Sequence, residues 1–71
     1  MTRQFNVVIE KDADGLFVAS VPTLRGCHTQ ARSLDVLMER IREAIELCIE
    51  VEEREPVDNE FIGIQRVAVT V

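Results

Sequence analysis

Tryptophan and tyrosine are absent from these 71 residues, and the aromatic side chains are Phe5, Phe17 and Phe61. A stacking platform for single-stranded nucleic acid needs exposed rings in numbers, so that class of function is disfavoured. Lysine is reduced to Lys11, the other seven bases being arginine, and 13 acids against 8 bases leave a net charge of −5. A chain this acidic does not bind phosphate backbones unaided, but it suits a basic protein. No run of 18 apolar residues occurs, which excludes a membrane-spanning helix. The opening Met1-Thr2-Arg3-Gln4-Phe5 has no long apolar stretch, so no signal peptide is expected and the cytoplasm is the default compartment. Cys27 and Cys48 are then expected as reduced thiols.

What is present is a folding composition, 46% hydrophobic and 30% charged, with room for one domain covering residues 1–71. At this length only about 60% of the chain's surface can be buried, so the core is thin. Residues 4–10 alternate, with Phe5, Val7 and Ile9 on one face, as a strand does. Lys11 to Gly15 is an Asp-rich turn closed by glycine, and Leu16 to Val21 is a second strand with Phe17, Ala19 and Val21 on one face. Pro22 stops it. Thr23 to Gly26 is a loop, and Cys27 to Gln30 is a short third strand.

Ser33 is placed to cap a helix, with Asp35 in the first turn. From Leu34 the spacing turns helical: Leu34, Leu37, Met38, Ile41, Ala44, Ile45, Cys48 and Ile49 share one stripe, opposite Asp35, Glu39, Glu43, Glu46 and Glu50. Pro56 disfavours helix at the residue before it and sets the end near Arg54. That helix, roughly 30 Å long, outreaches its sheet. Residues 55–60 form an acidic loop, and 61–71 read as a last strand with Val67, Val69 and Val71 on one face and Gly63 marking a bulge or close contact. The order is βββαβ, an α+β fold with one amphipathic helix on an antiparallel-rich sheet.

The run Val7-x-Ile9-Glu10-x-Asp12-x-Asp14-Gly15-x-Phe17-Val18-Ala19-x-Val21-Pro22-x-Leu24-x-Gly26-Cys27, continued by Thr29, Ser33-Leu34 and Glu43-Ala44-Ile45, resembles the N-terminal domain of HicB-type antitoxins. The likeness covers residues 5 to about 52, and the valine-rich end fits it. It implies a partial ribonuclease-H-like fold and the neutralising of a small basic mRNA-cleaving toxin of the HicA type. Family members often add a C-terminal DNA-binding domain; this chain stops at Val71, so operator binding is not carried over. Ala31 stands where many members have glycine.

Ribonuclease-H chemistry needs carboxylates gathered around metal ions, one of them near the middle of the first strand. Here that position reads Asn6-Val7-Val8-Ile9, and Asp12 and Asp14 belong to the turn. Neighbours on a strand point to opposite faces, so Cys27 and His28 do not form a dyad. With Cys48 they supply three candidate zinc ligands without paired spacing. Gly15 and Gly26 read as turn glycines rather than a phosphate loop. No catalytic, metal or cofactor-binding residue is expected.

Two features remain over. Val36, Arg40, Leu47 and Val51 form a shoulder beside the main stripe, either scattered surface or an oligomer or partner contact. Glu46, Glu50, Glu52, Glu53, Glu55, Asp58 and Glu60 crowd the helix end, where carboxylates oppose the macrodipole. They make a solvated surface or a docking patch for a basic partner. The candidate partner-binding set is therefore Glu46, Glu50, Glu53, Glu55, Val36, Arg40 and Leu47. A HicA-like toxin and self-association are expected, without direct nucleic acid or membrane binding. The alternative is an orphan homo-oligomeric domain that binds another protein or a small ligand.

Overall fold

The structure is a computed structural model that describes residues 2–54 and 60–71. Three antiparallel strands, β1 (Val8–Lys11), β2 (Phe17–Ser20) and β3 (His28–Ala31), pair in the order β1-β2-β3 and are followed by one helix, α1 (Leu34–Arg54). This is an α+β arrangement. The strands are shorter than the alternation suggests, because pairing is confined to four residues per strand.

The β1–β2 turn is built by Asp12. Its Oδ1 accepts hydrogen bonds from the backbone N–H groups of Asp14 and Leu16, both at 2.9 Å. Gly15 takes a φ of +86°, which a side chain would resist. These bonds fix the register, Ile9 opposite Ala19 and Lys11 opposite Phe17.

The connection from β2 to β3 does more than turn the chain. Val21 N–H donates to the Cys27 carbonyl (2.9 Å), Leu24 N–H to that of Val21 (3.1 Å) and Cys27 N–H to that of Leu24 (3.2 Å). Gly26 sits at φ +68°. The result folds Leu24 inward, and Val21, Leu24 and Cys27 join Ala19, Ala31, Leu37 and Ile41 as the buried core. Sequence periodicity gives no sign of Leu24, since the residue stands alone in a loop.

The helix starts as expected. Ser33 Oγ accepts from Val36 N–H at 3.3 Å and Ser33 C=O from Leu37 N–H at 3.0 Å, so Ser33 is the N-cap. The 21 residues of α1 end at Arg54. The helix packs over β3 and β2 and does not reach β1. Arg40 reinforces that offset by donating to the Gln30 carbonyl of β3 at 2.8 Å.

The expected fourth strand is the main correction. Residues 60–71 belong to no helix or strand, and all but Phe61 are exposed. Alternating valines make a segment fit for a sheet, but alternation does not supply a partner, and none of the described strands pairs with it. Gly63 is no close contact either, since a Cβ there meets nothing within 4 Å.

Candidate functional site

The 3.6-residue period of α1 separates three longitudinal faces. Leu37 and Ile41 are buried at its centre, with Ala44, Ile45 and Cys48 packed partly against the core. On the side away from the sheet, Glu39, Glu43, Glu46, Glu50 and Glu53 are all exposed. Their spacing alternates four and three residues, so consecutive members are surface neighbours along one ridge. Among the described residues none of the five takes part in an ion pair. Each like-charged neighbour pair costs about 0.2–0.5 kcal/mol of helix stability.

Glu52 does not belong to this ridge. It lies on the flank facing the N-terminal segment and pairs with Arg3 at 3.2 Å, the Arg3 guanidinium also lying 4.9 Å from the centre of the Phe5 ring. Glu55 and Asp58 are outside the described residues, as is most of the expected acidic loop. Of the acidic residues singled out from sequence, Glu46, Glu50 and Glu53 therefore share one described surface. Glu39 and Glu43 extend it toward the start of the helix.

The expected shoulder is present: Val36, Leu47 and Val51 are exposed, Leu47 to 67%. Arg40 lies between them, but its guanidinium is engaged by Gln30. Val36 and Arg40 border a small groove of ≈ 310 Å³ over Ala31 and Ser33. Leu47 lies farther along the helix.

On the opposite flank of α1, a wider groove of ≈ 750 Å³ runs between the helix and the segment leading into β1. Phe5, Val7, Met38, Ile45 and Ile49 form its apolar floor and walls, and Arg3, Arg42, Glu46 and Glu53 its charged rim. Sequence reading counted Met38, Ile45 and Ile49 as core. They line an open groove because the helix stops short of β1.

Cys27 is buried and His28 exposed. Cys27 lies with Cys48, and burial first, then the neighbouring Cys48 thiol, push its pKa up to about 12. Such a thiol is a poor nucleophile at neutral pH. Among the described residues no three His, Cys, Asp or Glu side chains gather as metal ligands. No described helix is long and apolar enough to cross a membrane.

Residues 5–68 match the family model described as a HicB-like antitoxin of bacterial toxin–antitoxin systems. The chain belongs to this HicB-like antitoxin family. A UPF0150 protein of Archaeoglobus fulgidus is 61% identical to it, over 93% of this chain and 94% of that protein. A UPF0150 protein of Synechocystis is 49% identical, over 94% and 96%. One of Helicobacter pylori is 52% identical over 62% of this chain and 60% of its own length. The HicB-like match spans the turn, the Leu24 loop, the capped helix and most of the segment after it, so membership rests on the whole fold.

Proposed function

We propose that this HicB-like chain is a non-enzymatic, cytoplasmic antitoxin that neutralises a small basic HicA-type toxin by covering its mRNA-binding surface. The observation that carries the reading is the unbroken carboxylate ridge of α1 in a member of an antitoxin family. A surface that holds RNA by its phosphates is positively charged. A row of exposed glutamates with no ion pair among the described residues presents the same sign of charge as that RNA and competes for the site. Glu46, Glu50 and Glu53 give attraction and fast encounter, and the adjoining apolar residues Val36 and Leu47 give contact area. The sheet, in a partial ribonuclease-H-like arrangement, serves as the frame that holds the helix. The chain acts as a homo-oligomer.

The test is genetic and biochemical together. A neighbouring reading frame for a small basic protein is expressed alone and with this chain. Growth arrest by the first alone, relief by the pair and co-purification of the two support the reading. Arrest that this chain does not relieve overturns it.

A second reading has one observation in its favour. The groove of ≈ 750 Å³ beside Phe5 and Ile45 suits an orphan domain that binds a ligand or another protein through apolar contact.

A further inference from the structure

Two open features face outward from the same chain. One is the segment 61–71. Ile62, Ile64, Val67 and Val69 are 71–86% exposed, and Val71 is exposed as well. The radius of gyration is 13.9 Å, against about 11 Å for a compact chain of this length. The other is the outer edge of β1, which among the described residues pairs with β2 alone. Ile9 lies opposite the buried Ala19 and so shares the helix-facing side of the sheet, yet it is 44% exposed because α1 does not cover β1. Beside it runs the groove floored by Phe5, Val7, Ile45 and Ile49.

We propose that residues 61–71 add as a strand to the β1 edge of a second copy of this chain, reciprocally, with alternate valines over that copy's groove. The proposal rests on the self-association in the reading above and names the surface responsible. A five-residue strand such as 67–71 spans about 17 Å, enough to run alongside β1. The edge of β3 is the poorer acceptor, because Arg40 already engages the Gln30 carbonyl there and α1 lies over it. Lys11 guards only the hairpin end of β1, where it lies 5.4 Å from the centre of the Phe17 ring.

The occupant is a second copy rather than the basic toxin. Within 61–71 the one charged side chain is Arg66, so the segment offers a basic surface no acidic side chain. A tail on its own chain has the advantage of high effective concentration. Here it nevertheless stands off its own sheet, with Phe61, Ile62 and Gly63 beside Pro22. Exchange between two copies satisfies both open features at once, with a closed two-fold interface. Each buried Val or Ile removes on the order of 60–120 Å² from water. The three alternate valines of each tail, with the matching faces, bury on the order of 700–1,400 Å² in total, reaching the lower part of the range of stable interfaces.

The full chain is examined by sedimentation velocity beside V67D/V69D, with circular dichroism confirming that both keep α1. The expected result is a dimer for the parent and a monomer for the variant. Cysteine pairs report the connection in a Cys48→Ala background. Ile9→Cys and Val69→Cys chains, refolded together and oxidised, should give a cross-linked heterodimer. A single chain carrying both substitutions that closes into a cross-linked monomer overturns the exchange, because the tail then lies on its own sheet. A dimer that persists in V67D/V69D also overturns it while leaving self-association intact, and moves the contact to the Val36–Leu47 shoulder. A parent that is monomeric throughout removes both.

Discussion

Leu24 is the residue on which the loop depends. It is 2% exposed and held by backbone bonds on both sides. Leu24→Ala should destabilise the fold by about 2–5 kcal/mol, the cost of a buried cavity, and chemical denaturation measures it. Cys27 offers a pH signature. Its thiol is raised from 9.0 to about 12 in the folded chain, so the unfolded chain loses its proton first. Below pH 9 the thiol is protonated in both states. As pH rises from 9 toward 12, stability is progressively lost. The fall should be shallower in Cys27→Ala, and denaturation across that range compares the two. The same burial keeps Cys27 unreactive toward thiol reagents in the native protein and reactive once it is unfolded.

At the scale of elements, the sequence was most legible where one local pattern suffices. The helix boundaries follow from the Ser33 cap, the apolar stripe and Pro56, and the hairpin follows from Asp12 and Gly15. Ser33→Ala should cost about 1 kcal/mol and Ser33→Asp little, because only an oxygen acceptor satisfies the Val36 N–H. The segment 61–71 shows where local pattern runs out. Alternation marks which residues favour a sheet but not whose sheet it is. Leu24 escaped for a related reason, as an isolated apolar residue carries no period. The acidic ridge was legible only in part: Glu46, Glu50 and Glu53 share a face, whereas Glu52 turns to Arg3, a partner 49 residues away that helical spacing does not reveal. On the ridge, Glu50 repels both Glu46 and Glu53. Glu50→Gln should therefore raise stability by about 0.4–1 kcal/mol, seen as a rise of a few degrees in Tm. A fall would show that Glu50 has a stabilising partner.

At the scale of the whole molecule, a thin sheet, a helix set to one side and a terminal segment outside the sheet leave two surfaces free for the two proposed contacts. The ridge faces away from the sheet and is charged. The β1 edge and the floor of the groove are apolar, and Glu46 and Glu53 stand where the ridge borders the groove's rim. The proposed oligomer contact and the proposed toxin contact therefore draw on different chemistry, and changes confined to one, away from the shared rim, should spare the other. E39K/E43K/E50K, three ridge positions off the rim of the groove, should keep the oligomeric state of the parent, by sedimentation, while losing affinity for the toxin.

The most direct measurement is cleavage of an mRNA by the purified cognate toxin, titrated with the parent chain and with E46K/E50K/E53K at low and high salt. The account predicts stoichiometric inhibition by the parent. It predicts association at least about tenfold slower for the charge-reversed variant at low salt, with the gap narrowing as salt screens the ridge. Equal inhibition by both proteins at every salt concentration would contradict the assignment of toxin capture to the glutamate ridge of α1.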